Sequence, residues 1–570
     1  MLIFLINNNV IKKQLIYRIV EIVGKDNFLI SASEMAPFKN GWRTQSGECK
    51  GVITPSTLLE MWKIIKLLVK NNKIILMQAS NTSLTGGSTP NGKYDRELFI
   101  INTLKLNNIY LINKAEQIVA LPGSTLYSLE NKLRKFNRAP HSEIGSSCIG
   151  ASIVGGICNN SGGALIKRGP AYTELSLFAQ VNNKGELKLI NNLGIDLGKT
   201  PEQILKKIDN GDIPKDKYFK TRKKASSYDY KKVIKDVNAN SPARFNADKK
   251  RLFQASGCAG KIAVFAVRLD TFEKEKNEVT FYLSSNSPKD LTLFRRRVLQ
   301  EVTDLPIYAE YIHREAYKVS KKYGKDAFLL IYYLGTSVMP IFYKIKSRIE
   351  KFFSNSRLFS NYSLDYILQY FVKIIPHPLS KKFDKINDKY EHHLIVKFDA
   401  SIYSQIKFLA SEIFKKKSKA NFLHCTLKES KKLTLTRFVI AGANVRFARV
   451  HPKTNNNLLA LDISLRRNDK NWNETLPKYL KKLIYKPIYV GHYFCHVFHR
   501  EYALNKGVDP DIVKSKLLSE LKKAGAKYPA EHNVGHSYIA EKNLKDFYKK
   551  LDPTNTFNPG IGKTSKKNKL

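Results

Sequence analysis

Residues 144–166 read IGSSCIGASIVGGICNNSGGALI. The stretch holds no Asp, Glu, Lys or Arg, in a chain of which 26% is charged, and six positions from Gly145 to Gly163 are glycine. Without a Cβ the backbone can pass close to a ligand and show it N–H groups. Consecutive amides of this kind form concave sites that favour anions. Ser146, Ser147, Ser152, Asn159, Asn160 and Ser161 add short donors that do not crowd the path. Taken alone, the stretch reads equally well as a tight, glycine-dense core turn.

A second neutral loop decides between the two. Residues 79–90, ASNTSLTGGSTP, follow the apolar run KIILMQ at 73–78. A strand emptying into a Ser/Thr/Gly loop is where a phosphate-bearing ligand meets free backbone amides. No G-x-G-x-x-G opens a helix here, so this is not the Rossmann fingerprint. Two such loops on α/β segments fit one long diphosphate ligand better than two unrelated turns.

Both loops resemble those of the vanillyl-alcohol-oxidase type of FAD-binding domain. Four segments narrow the resemblance: IILMQASNTSLTGGSTPNG (74–92), PHSEIGSSCIGASIVGGICNNSGG (140–163), SGCAGKIAVFAVRLDTFEKEKN (256–277) and YPAEHNVGH (528–536). Together they resemble the bacterial respiratory quinone-dependent D-lactate dehydrogenase family, over residues 51–563. The resemblance implies an α+β fold with a two-part FAD-binding domain, an antiparallel-sheet cap and a helical, basic membrane-docking insert. The expected division is 1–268 FAD-binding, 269–310 and 388–519 cap, 311–387 insert, and 520–570 returning to the FAD-binding domain. FAD contacts are implied for Ala79, Ser80, Asn81, Thr82, Ser83, Gly87, Ser88, Gly145, Ser152, Gly162 and Val264. No histidine precedes His141, so attachment through an early histidine is excluded and the FAD is expected to be noncovalent.

At 570 residues the chain is too long for one core. Its net charge of +48 raises a nucleic-acid reading. Abundant Lys, Asn and Ile point instead to codon bias and solvated surface, and no zinc-finger, RNA-binding or basic-zipper pattern occurs, so no nucleic-acid partner is expected. Six scattered cysteines without C-x-x-C argue for a reducing compartment. The opening MLIFLI stops at Asn7 and lacks a basic leader, unlike a secretory signal.

Periodicity predicts a short helix and loop over 10–36, and a capped amphipathic helix from Thr57 to Leu68 with Glu60 closing a capping box. Strands are expected at 73–78, 97–102, 109–112 and 117–121, then a helix at 124–136. A hairpin turns at 183–185, residues 200–250 read as a polar surface excursion, and 261–269 as a strand. Residues 279–294 read as a strand then a helix that begin a second domain, and further strands at 391–398, 438–450, 458–465 and 488–498 are expected to build one antiparallel cap sheet.

Residues 311–387 hold 14 basic and five acidic side chains, a balance of +9. Within them 327–343 (AFLLIYYLGTSVMPIFY) is uncharged, but Gly335 and Pro340 interrupt it and it is short of a membrane span. Basic flanks around aromatic segments suit anionic headgroups with shallow burial, at about 1 kcal/mol per basic residue. An ordinary helical subdomain is the plainer reading. Beside the resemblance, the insert is expected to dock on the anionic cytoplasmic face of a bacterial inner membrane, peripherally, where a membrane quinone takes the electrons.

By the same resemblance His532 is the base that removes the hydroxyl proton of D-lactate, and imidazole, with its ordinary pKa near 6.5, suits the task. His492, His499 and Glu531 match positions that hold a divalent metal in some relatives, although the central G-D-G-N is replaced by Tyr493 to Val497. A metal site and a set of hydrogen-bonded imidazoles both remain open. Seven residues on one strand would face opposite ways, so a turn must separate the two histidines. Arg437 and Arg466 are the arginines expected to grip the substrate carboxylate. Competing functions are oxidation of another D-2-hydroxy acid, such as glycolate or 2-hydroxyglutarate, and a non-catalytic basic protein that binds membranes or RNA.

Overall fold

In the computed structural model the described residues are 2–41, 46–142, 150–214, 221–354, 363–415, 420–454 and 456–568. Helix α1 (Leu2–Val23) is longer than the short helix expected. It buries Leu15, Ile19 and Val23 at a spacing of four, against helix α2 (Leu58–Lys70). Thr57 caps α2, its hydroxyl accepting from Glu60 N at 3.0 Å, but the Glu60 carboxylate accepts from Ser56 N at 2.7 Å. The expected capping box is therefore only half formed.

Strands β1 (Phe28–Leu29), β2 (Gly51–Ile53), β3 (Ile74–Gln78) and β4 (Leu98–Asn102) make a sheet of order β1-β2-β4-β3. The crossover through α2 makes β2 and β3 both parallel to β4. The exposed edge of β3 is covered by the end of the chain: Ile75 N donates to Thr556 O and Asn558 N to Ile75 O, each at 3.0 Å. A second, antiparallel sheet has β5 (Ile109–Ile112), β6 (Gln117–Ala120), β7 (Ser176–Val181), β8 (Leu187–Asn191) and β9 (Ala263–Asp270) in the order β5-β6-β9-β7-β8. The short helix α3 (Ile153–Cys158) leaves the glycine-rich stretch with Ser152 as its cap.

The cap is one seven-stranded antiparallel sheet. Its strands are β10 (Glu278–Ser285), β11 (Tyr308–His313), β12 (His392–Asp399), β13 (Ala420–Cys425), β14 (Leu458–Ser464), β15 (Ile484–His492) and β16 (Val497–Leu504), in the order β13-β10-β12-β11-β15-β16-β14. Between β11 and β12 run helices α4 (Arg314–Tyr323), α5 (Lys325–Leu334), α6 (Met339–Ser354), α7 (Ser363–Ile374) and α8 (Lys381–Lys389). Residues 311–313 thus end a cap strand, and the helical run begins at Arg314. Gly335, at φ 82°, ends α5 and splits the uncharged stretch in two, and Pro340 falls in the first turn of α6. Among the described residues no helix is long and apolar enough to cross a membrane.

Three expectations fail. Residues 438–450 are not a strand: they are the end of α9 (Leu427–Phe438) and the whole of α10 (Ile440–Val450). Ile440, Ala443, Asn444, Arg446, Phe447 and Ala448 are the buried positions, and Ile440, Ala443 and Phe447 among them keep a helical spacing. Residues 488–498 are not one strand but the end of β15, a tight turn and the start of β16, and β13, unforeseen, takes one edge of the sheet. Residues 200–250 are not a mere surface excursion, because Tyr230 and Ile234 join the core that packs against the cap strands and Arg244 is buried.

Candidate active site

The two neutral loops meet. Ser80 Oγ donates to the Gly150 carbonyl, and Asn558 Nδ2 donates to Gly87 O at 2.9 Å and Ala259 O at 2.8 Å. The turn after residue 532 closes on the first loop through His536 N and Thr85 O at 2.9 Å. Gly535 makes this approach at φ 52°, where a Cβ would fall 2.1 Å from Thr85 O.

A cavity of about 840 Å³ lies between these segments and the cap. Ala79, Ser80, Asn81, Thr82, Ser83, Gly87, Ser88, Ser152 and Val264 all line it. Gly162 does not. Its missing Cβ makes room for the Glu531 carboxylate, which would sit 2.3 Å from that atom. Gly145 lies outside the described residues. With hydroxyls, glycines and no carboxylate on either loop, and a volume typical of a cofactor site, the cradle fits a neutral-walled diphosphate cofactor such as FAD.

Cap-sheet register supplies the chemistry. Glu310 pairs with His492 across β11 and β15, His499 with Val490 across β15 and β16, and Asp462 with His499 across β14 and β16. Paired residues share a face, as do residues two apart, so all four polar side chains point the same way. A tight turn at 493–496, with His496 left-handed at φ 55°, brings His499 back to the side of His492.

On that face His532 Nδ1 lies 2.7 Å from Asp462 Oδ2, which also accepts from the backbone N of His532 at 3.1 Å and of Glu531 at 2.7 Å. Burial alone would lower the His532 imidazole, but the Asp462 carboxylate outweighs it and the net shift is upward. His492 Nδ1 lies 2.6 Å from Glu310, and its Nε2 is 3.4 Å from Glu531 and 3.3 Å from His499 Nε2. His499 Nδ1 stands 3.4 Å from Asp462. Burial pulls His492 down, yet Glu310 and Glu531 together lift it to about 9. Glu531 is pushed up by burial and pulled further down by Arg244 and His492, to about 2. One ligand atom each from His492, His499 and Glu531 falls within 4.8 Å of the others.

Arg437 lines the cavity with its Nε 2.9 Å from Glu310. Arg466 is outside it, since Asp469 binds its backbone N at 3.0 Å and its guanidinium at 2.7 Å. An arginine paired with a neighbour in its own turn is not free to reach inward, and the carboxylate assignment to Arg466 falls.

A family model described as "D-lactate dehydrogenase, membrane binding" matches residues 280–570, and one described as "FAD binding domain" matches 49–188. The quinone-dependent D-lactate dehydrogenase of Escherichia coli (strain K12) is 48% identical over 97% of this chain and 97% of its own. That of Haemophilus influenzae is 45% identical over 97% and 99%. The chain belongs to the quinone-dependent D-lactate dehydrogenase family. Solved structures with the same fold include p-cresol methylhydroxylase, at a TM-score of 0.60 and 12% identity over 98% of both chains. Alkyldihydroxyacetonephosphate synthase follows, at 0.56 and 11% over 96% of this chain and 84% of its own. The fold is therefore the α+β, vanillyl-alcohol-oxidase type that the two loops imply.

Within this D-lactate dehydrogenase family member, three site residues escape sequence reading. Asp462 is an acid inside the apolar strand LLALDIS, and that break in pattern is its only signal. Glu310 interrupts YAEYIH in the same way. Arg244 gives no local signal; its guanidinium pairs with Glu531 and donates to Gly163 O at 2.5 Å.

Proposed function

We propose that the protein oxidises D-lactate to pyruvate at this site and delivers the electrons to a membrane quinone. The observation that carries the reading is His532, held 2.7 Å from Asp462 and facing the cavity that both neutral loops line. FAD bound along loops 79–88 and 151–163 supplies the hydride acceptor. His532 Nε2 takes the hydroxyl proton of the substrate, and Asp462 fixes the ring orientation and offsets the charge it gains. Arg437 supplies a cation for the substrate carboxylate.

His492, His499 and Glu531 form a donor set that fits a divalent cation: each imidazole has its Nδ1 beside a carboxylate and its Nε2 turned to one point, where a bound cation would displace the proton that His492 otherwise carries. Glu310, Glu531 and Asp462 against Arg244 and Arg437 leave one uncompensated negative charge when the imidazoles are neutral. A divalent ion together with a monocarboxylate substrate brings the cluster to neutrality. Held there, the ion would polarise the hydroxyl and bind the carboxylate. Chelation should strip an equimolar divalent metal and raise KM for D-lactate at unchanged flavin content. Protein that is metal-free as purified and indifferent to chelator would remove this part.

The membrane address rests on α5–α7, where Tyr333, Ile341, Tyr370, Phe371 and Ile374 are 61–74% exposed within the basic run. A soluble surface rarely leaves so many large apolar groups in water. This face meets the cytoplasmic, anionic side of the inner membrane. The test uses anionic vesicles carrying a quinone. D-lactate should bleach the yellow flavin band, pyruvate and quinol should form one for one, and the protein should sediment with anionic but not zwitterionic vesicles. Bleaching by 2-hydroxyglutarate but not D-lactate overturns the substrate, and equal sedimentation with both vesicles overturns the docking.

A further inference from the structure

The cavity does not end at the histidines. It continues past Arg437 between α5, α6 and α10, where Ala327, Ile331, Met339, Phe342, Val439 and Ala443 line it. Ile331, Met339 and Val439 belong to a small apolar cluster of their own, separate from the cap core. The same part of the lining also carries Asp326, Glu350 and Asp365 with Lys346, Arg446 and Arg449. These six are mutually paired: Asp365 lies 2.6 Å from Lys346 and 2.8 Å from Arg449, and Asp326 lies 2.6 Å from Arg446. With acids and bases in equal number, this group offers no net charge to hold an anion, so a lipid phosphate is a poor occupant. Outside, the same two helices expose Tyr333 and Leu334 on α5 and Ile341 and Ile345 on α6.

We infer that this apolar arm is the seat of the quinone. An isoprenoid quinone is neutral, with a flat redox ring and a greasy tail, and the arm joins the cofactor cradle to the face proposed to lie in the bilayer. The ring would enter toward Arg437, and the tail would run between α5 and α10 to leave beside Tyr333 and Ile341. The quinone takes up two electrons and two protons, those that left D-lactate as its C2 hydrogen and its hydroxyl proton, so pyruvate and quinol balance. Ala327 and Val439 are the positions where a larger side chain would fill the arm without touching the histidine cluster. The inference rests on the quinone-dependent reading above.

Ala327→Trp and Val439→Phe test it by two routes. Each should cut D-lactate-driven reduction of a long-chain quinone in vesicles by tenfold or more. Reduction of a small water-soluble dye acceptor, and anaerobic bleaching of the flavin by D-lactate, should stay within twofold of the parent. Independently of any variant, a photoreactive azido-quinone should crosslink to peptides within 325–342 or 437–446 of the unaltered protein. Crosslinks confined to other segments, or equal losses with quinone and dye, overturn the arm. Absence of bleaching by D-lactate in the parent would instead overturn the underlying reading.

Discussion

Replacing His532 by Asn should lower kcat for D-lactate by about 10²–10⁴-fold, the usual contribution of a positioned general base, while FAD stays bound. Asn keeps the polar volume and can still accept or donate toward Asp462, but it has no nitrogen able to hold the proton. The partner variant, Asp462→Asn, separates two roles. Asp462 raises the imidazole against the effect of burial and accepts from three donors of the 531–532 turn. Its loss should therefore slow flavin bleaching and also loosen the turn, with both kcat and KM affected. Rapid mixing under anaerobic conditions reads the bleaching step directly, before any acceptor is involved. A fall of less than tenfold in that step for His532→Asn would falsify its role as the base.

The sequence was most legible where a ligand dictates local backbone. Glycines and hydroxyls at 79–88 and 151–163 must leave room for a cofactor, so the loops declare themselves by composition, and the structure joins them at Ser80 and Gly150. The histidine hairpin was legible in part: spacing alone required a turn between His492 and His499, and a left-handed His496 provides it. What could not be read depends on partners far away in sequence. Arg466 and Arg437 look alike in sequence, yet Asp469 ties down one while the other reaches the cavity beside Glu310. The 438–450 segment carries both patterns: Phe438 and Ile440 alternate as on a strand, whereas Ile440, Ala443 and Phe447 keep the helical spacing that burial selects. Asp462 and Glu310 break the apolar pattern of their own strands, but that they face His499 and His492 follows only from cross-strand register.

Arg244→Met should destabilise the chelator-treated protein by about 3–5 kcal/mol, the cost of leaving a buried charge without its partner. The reasoning starts from Glu531, 5% exposed, whose carboxylate is seated in the space left by the missing Cβ of Gly162. Arg244 is 2% exposed and meets that carboxylate from the other side, from a segment some 290 residues upstream. Methionine keeps the stem packed but removes the positive charge, so His492 alone faces Glu531 while Asp462 repels it. Adding Glu531→Gln should restore most of the lost stability, because both charges are then gone. It should not restore D-lactate oxidation, since the carboxylate is needed beside His492 and His499. The measurement is a double-variant cycle of unfolding midpoints in denaturant, with turnover recorded on the same four proteins. If Arg244→Met costs less than about 1 kcal/mol, the guanidinium is not what holds Glu531 ionised, and the electrostatic account of the site must give that carboxylate a different partner.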